Sequence, residues 1–221
     1  MHIGLIGGIG PAATDLYYRR LIELAADKAV DLDLTMVHAD SPTLLANMAA
    51  GQGDAQTEIY LRLTDRLARA GADCVVVTSI SGHFCIDQFS NVSPLPVVDM
   101  IAAISAALIR DGIKRVGLLG TETVMASGMY GKLAGVDVLA PEHDLMRRVH
   151  SAYIGLARTA KPTKALRAIL FEAGLQMAHE FGAEAILLGG TDLNIAFEGQ
   201  TPGFRTIDCA GIHIEEIAKR L

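Results

Sequence analysis

Hydrophobic and polar positions are organised in blocks along this chain rather than in residue-by-residue alternation. Short apolar runs occupy residues 2–7, 34–38, 74–78, 96–98, 115–120, 136–139, 185–189 and 205–207. Between them lie amphipathic stretches of helix length, near residues 11–27, 54–70, 99–111, 124–133, 142–158, 163–181 and 210–221. Strands that read as continuous Val, Ile and Leu, separated by helices, belong to parallel sheet covered on both faces. The pattern predicts an α/β fold. Pro11 fits the first turn of the first helix, where a missing N–H costs nothing.

The chain also repeats itself. Gly4-Leu5-Ile6-Gly7 has a counterpart in Gly117-Leu118-Leu119-Gly120, and Tyr17 and Tyr130 follow at equal spacing. Gly71-Ala72-Asp73, an apolar strand and Thr78-Ser79 match Gly182-Ala183-Glu184, another apolar strand and Gly189-Gly190. The two matches share nearly one offset, roughly half the chain, as an internal duplication requires. Chance likeness of generic strands accounts for either match more easily than for both.

Composition narrows the function classes. About half of the 221 residues are apolar and a fifth are charged, a globular balance. Every apolar run is interrupted by charge, Gly or Pro before it could span a bilayer, so no membrane role is expected. Gly7-Gly8-Ile9-Gly10-Pro11 breaks the first run and no basic segment precedes it, which reads as a buried strand and not a signal peptide. A net charge of −6 without a Lys/Arg cluster argues against nucleic acid. Cys74, Cys85 and Cys209 are odd in number and lack CxxC spacing, which predicts a reduced cytoplasmic protein with neither disulfides nor a metal site. The glycines of 7–10 fall short of the dinucleotide fingerprint, and no acidic residue sits cleanly at the end of the second strand, so no cofactor is expected.

In open parallel sheets, ligands sit at the carboxyl ends of the strands. Those ends fall at residues 7–10, 79–83, 121–123 and 190–192, and each is rich in Gly, Ser or Thr ahead of an expected helix. If two halves face one another, these ends converge on one cleft, with helix N–H groups suited to a small carboxylate or phosphate. Separate, unrelated turns are the plainer reading of the same residues.

Gly7-Gly8-Ile9-Gly10-Pro11-Ala12-Ala13-Thr14, Leu118-Leu119-Gly120-Thr121 leading to Tyr130, Gly189-Gly190-Thr191-Asp192-Leu193 and the ending Ile207-Asp208-Cys209-Ala210-Gly211-Ile212-His213 together resemble the aspartate/glutamate racemase family, in order and over essentially the whole chain. The resemblance implies two pseudo-twofold-related α/β domains, each a mainly four-stranded parallel sheet flanked by helices. Residues 1–97 plus 208–221 would form one and residues 98–207 the other. It also implies a homodimer and cofactor-independent chemistry on small amino or carboxylic acids.

In that family two cysteines, one per half, lie in motifs Cys-Asn-Thr and Cys-Thr-Glu and exchange a proton on opposite faces of a carbon. A thiol titrates close enough to neutrality for this. Here the first motif reads Ser79-Ile80-Ser81, with His83 where the family usually keeps a histidine, and the second reads Gly190-Thr191-Asp192. A serine hydroxyl is a far weaker acid than a thiol, and glycine offers no side chain. Asn47 stands near where some members carry an arginine for the distal carboxylate, and Arg158 and Lys161 lie near a basic anchor. Ordinary two-thiol racemisation is therefore not expected.

The catalytic candidates are Ser79, His83 and Asp192. The binding candidates are Gly8, Gly10, Asp40 (with His38), Ser81, Thr121, Thr123, Ser127, Gly190 and Thr191. Each has a plainer reading: Ser79 and Asp192 as helix caps, His83 as a structural hydrogen-bonder, His38 and Asp40 as a polar strand end. Cys85 is expected inside a helix against the core, and Cys74 and Cys209 as packing residues. Two functions stay open: a family enzyme with altered chemistry, racemase-like or a lyase or decarboxylase, and a small-acid-binding or regulatory protein that has lost it.

Overall fold

The computed structural model describes residues 1–8 and 11–221; Gly10, a binding candidate, lies outside the described residues. The chain forms two compact units, Met1–Met100 with Ala210–Leu221, and Ile101–Cys209.

The sheet of the first unit has strands β1 (His2–Gly7), β2 (Asp33–His38), β3 (Cys74–Val77) and β4 (Val97–Val98), in the order β2-β1-β3-β4 and all parallel. The central strands β1 and β3 are buried almost throughout, while edge strand β2 alternates between exposed and half-buried. That is why the centre reads as apolar residues and glycine with little charge. Around the sheet run α1 (Pro11–Asp27), α2 (Ser41–Ala49), α3 (Gly53–Arg69), α4 (Ile86–Val92), the start of α5 (Met100–Arg110) and, from the end of the chain, α10 (Cys209–Ala218). Helix α3 carries Asp54 in its first turn and Arg66 and Arg69 in its last, complementing its dipole. Its inner face brings Tyr60, Leu63 and Leu67 onto Ile6, Val75, Val77 and Phe89. Gly4 makes this close packing possible, since a Cβ there would stand 3.1 Å from the Leu67 Cβ and 3.1 Å from the Cys74 carbonyl.

The second unit repeats the order. Strands β5 (Arg115–Leu119), β6 (Asp137–Leu139), β7 (Ala185–Leu188) and β8 (Thr206–Asp208) form a parallel sheet in the order β6-β5-β7-β8. Helices α6 (Glu122–Ala126), α7 (His143–Thr159), α8 (Lys164–Leu175) and α9 (Asn194–Phe197) accompany it. Gly117 does here what Gly4 does in the first sheet: a Cβ would stand 2.9 Å from Met177. Among the described residues no helix is long and apolar enough to cross a membrane.

All eight strands fall where the apolar runs place them, but the helices need correction: the short α4 and α9 lie outside the expected stretches, and three further differences have physical reasons. Helix α2, hidden behind Ser41-Pro42, is started by Asp40, whose carboxylate accepts from the Thr43 N–H at 2.9 Å. The stretch expected as a helix over 124–133 is instead the short α6 followed by a left-handed turn: Gly128, Met129, Tyr130 and Gly131 all have φ between 54 and 67°. Such torsions cost about 1–2 kcal/mol at each non-glycine residue. Full burial of Met129 offsets this, and the Ser127 hydroxyl accepts the Tyr130 N–H at 3.0 Å. The long helix over 163–181 divides into α8 and a π-helical turn, Gln176–Glu180.

Candidate functional site

Strand β3 of the first unit ends on Thr78 and Ser79. Ser79 is extended (φ −117°, ψ 125°) and precedes a 3-10 segment, Ile80–Cys85, yet its side chain makes no capping bond to that segment. A Cβ on Gly8 would meet the Ser79 Cβ at 3.4 Å, so the end of β1 lies directly beside this serine. The Gly8 carbonyl in turn accepts from the Ser41 hydroxyl at 2.8 Å. Thr14 and Thr78 join their hydroxyls at 3.3 Å beside the end of β1. An open hollow of about 380 Å³ adjoins it, bounded by Gly8, Thr14, Tyr18, Met36 and His38. His38 and Asp40 are exposed; the cap to Thr43 holds the Asp40 carboxyl below the usual carboxylate range.

His83 is completely buried. Its Nδ1 lies 2.8 Å from the Ser79 carbonyl, and its Nε2 accepts the Met100 N–H at 3.2 Å. A carbonyl can only accept and an amide can only donate, so the imidazole is neutral with its proton on Nδ1. Both ring nitrogens are thereby engaged with main chain, and His83 braces the serine's backbone. His213 lies edge-on to it at 6.0 Å between ring centroids. That ring donates from Nε2 to the Val98 carbonyl at 2.9 Å and accepts from the Tyr17 hydroxyl at 2.8 Å. Burial pushes His213 down to about 3. Ser81 is buried one residue before Gly82, whose missing side chain admits Val77 and Tyr60.

In the second unit β7 runs into Gly189 and Gly190. Gly189 packs on the end of β5, where a Cβ would stand 2.9 Å from the Leu119 carbonyl. Gly190 faces Tyr153 of α7, a residue that the sequence pattern did not single out. Thr191 and Asp192, which follow it, are buried. Burial first, then the Asp192 charge, raises Tyr153 far above the usual tyrosine range. Thr121 is buried at the end of β5 and caps α6 by accepting from the Val124 N–H at 3.3 Å. Thr123 is half-buried within α6, and Ser127 is exposed, its oxygen taken up by the left-handed turn. Arg158 and Lys161 are exposed.

The three thiols sit in the core: Cys74 and Cys85 in the first unit, Cys209 at the last residue of the second. Burial raises both Cys74 and Cys209 above the ordinary thiol range. Among the described residues no cluster of His, Cys, Asp and Glu is arranged to hold a metal ion.

The model of the Asp/Glu/Hydantoin racemase family matches residues 6–217. The chain belongs to the Asp/Glu/Hydantoin racemase family. Solved structures share its fold over nearly the whole length. A proposed Asp/Glu racemase from Yersinia pestis superposes with a TM-score of 0.85 at 22% identity, covering 99% of this chain and 98% of that one. An aspartate racemase homologue from Pyrococcus horikoshii gives 0.80 at 23%, covering 99% of each. Glutamate racemase from Francisella tularensis, solved with D-glutamate, gives 0.70 at 16%, covering 99% and 80%. The doubled parallel sheet of this racemase-family chain is thus the fold of these solved structures.

Proposed function

We propose that this racemase-family chain takes a small amino or carboxylic acid without a cofactor, and exchanges a proton next to the ligand's carboxylate through hydroxyl and carboxyl groups instead of thiols. One observation carries this reading. The residues that follow β3 and β7 are Ser79, whose side chain is not spent on a cap, and Gly190, while every sulfhydryl is buried in the core. Ser79 is the ligand-facing hydroxyl of the first unit, with His83 as the residue that positions it through its carbonyl. Asp192 and Thr191 are the polar groups of the second unit. Gly8 contributes a backbone N–H group, and Thr121 and Thr123 stand at the end of β5, beside β7.

A second reading, a small-acid-binding or regulatory protein without chemistry, is favoured by His83. Because its Nε2 already accepts from Met100, no nitrogen of this ring is left to activate the Ser79 hydroxyl. Incubation with L- and D-aspartate, L- and D-glutamate and related dicarboxylic acids in deuterated water separates the two. Deuterium entering next to a carboxylate, and lost in Ser79→Ala, supports the enzyme. Saturable binding with no deuterium uptake supports the binding protein, and neither binding nor uptake would refute both.

A further inference from the structure

Helix α3 runs against the strands of the first sheet and carries its early turns past the strand ends. Near its end, Leu67 meets the middle of β1, where a Cβ on Gly4 would stand 3.1 Å from the Leu67 Cβ. Two turns earlier, Tyr60 reaches the segment that follows β3 and donates its hydroxyl to the Gly82 carbonyl at 3.2 Å. Gln56 precedes Tyr60 by four residues, a rise of about 6 Å. It therefore stands beyond the carboxyl edge of the sheet, the side on which parallel sheets hold ligands. Helix α2 leads to the same place. Its Leu44 lies 3.9 Å from where a Cβ on Gly8 would stand and 3.6 Å from where one on Gly82 would, and Asn47 follows one turn on.

Where the two helices meet, the Asn47 Nδ2 donates to the Gln56 Oε1 at 3.0 Å. Asn47, Gln56 and Thr57 are 9%, 0% and 8% exposed, so three polar side chains are buried at one elbow. The other terminus of the Gln56 amide, Nε2, has no hydrogen-bond partner among the described residues, and neither has the Thr57 hydroxyl. Thr64, further along α3, shows the ordinary solution: its hydroxyl donates to the Tyr60 carbonyl at 2.8 Å. A buried donor left unmet is costly, and in a folded protein it calls for a partner. No positive charge is supplied beside it, since residues 41–61 contain no Lys, Arg or His.

We infer that Gln56 is a specificity-determining residue: its amide NH2, held by Asn47, donates to an oxygen at the far end of an acid whose carboxylate lies at the Ser79 strand end. The inference rests on the small-acid reading above and adds how the ligand's other end is chosen. The rise from Tyr60 to Gln56 is on the order of the length of a four- or five-carbon acid. A neutral amide donates to a carboxylate oxygen or to a carboxamide oxygen, and no neighbouring cation favours the charged one. The protein thus selects for an oxygen at that end and not for a negative charge. An apolar end would leave the Gln56 NH2 unmet and is rejected for that reason.

Calorimetric titration of the full chain tests this with two length-matched series, each in L- and D-forms: aspartate, asparagine and α-aminobutyrate, and glutamate, glutamine and norvaline. The last member of each series lacks the far oxygen. In at least one series the carboxylate and the carboxamide should bind within about tenfold of each other, and both at least about tenfold tighter than the apolar member. Gln56→Met keeps the length of the side chain and removes the NH2. It should shrink the preference over the apolar member below about tenfold while its thermal midpoint stays close to wild type, a split that lost packing would not produce. Three results overturn the inference and leave the proposed function standing. In the wild-type protein, these are an apolar member that binds within tenfold of its partners in both series, or a carboxylate favoured more than tenfold over its carboxamide, the signature of a charge being read. The third is a full preference surviving in Gln56→Met, which would mean that the amide meets only a held water. The wild-type comparisons decide the matter even if the variant fails to fold. A wild-type protein that binds none of these acids refutes the proposed function itself.

Discussion

The two strand ends share a topology but are held by opposite means. After β3, the serine keeps its side chain out of any cap while its backbone is braced by a neutral, fully buried imidazole, itself next to a second buried imidazole. After β7, the backbone is bare and the space over it is filled by the ring of Tyr153. Both histidines that are completely buried among the described residues, His83 and His213, belong to the first unit. A duplicated fold thus repeats its sheet closely, down to the glycine under the central strand, and leaves the chemistry of its two ends free to diverge.

The largest expected effect separates the units by pH. His213 is held at about 3 by burial, whereas an unfolded histidine titrates near about 6.5. The unfolded chain therefore takes up a proton that the folded chain refuses, and stability drains away as pH falls from about 6.5 towards 3. The loss is on the order of a few kcal/mol for this buried ring. Urea unfolding between pH 7 and pH 4, with amide exchange to locate the opening, should show the first unit loosening first, and His213→Gln should flatten the dependence. A wild-type midpoint that does not move with pH contradicts this.

Next in size, His83→Ala strips partners from the Ser79 carbonyl and the Met100 N–H, which should lower stability by roughly 3 kcal/mol in denaturant titration. Smaller again is the contrast between two glycines. Gly190→Ala drives a methyl into the Tyr153 ring and should cost about 1–3 kcal/mol. Gly8→Ala meets only the Ser79 Cβ at 3.4 Å and should cost less than about 1 kcal/mol. The smallest contrast is between hydroxyls. Thr121→Ala loses a cap worth about 1 kcal/mol, while Ser79→Ala, with no cap to lose, should stay within about 0.5 kcal/mol. Equal costs in either pair would erase the distinction between the two ends.

The eight strands were legible because a central parallel strand must be apolar on both faces, and the glycine-led repeat marked their equivalence. The helices were less so. Helix α2 begins at Asp40 and Pro42, a signal that also reads as a turn, and its cap to Thr43 emerges only in the folded chain. The run over 124–133 has a helical apolar pattern, but Gly128 and Gly131 admit the left-handed turn that burial of Met129 stabilises. Ser79, Gly190 and Asp192 were visible as strand-end residues. Tyr153 was not, because its significance depends on a space that a distant glycine leaves open. A glycine at a strand end with ordinary torsions is the signal that could have prompted the search for its filler.

The most direct test is to replace Cys74, Cys85 and Cys209 together by alanine and measure binding and deuterium uptake for the four aspartate and glutamate enantiomers. Both should match the wild-type protein, since no sulfur takes part. A folded, cysteine-free protein that has lost ligand binding or exchange would contradict the account.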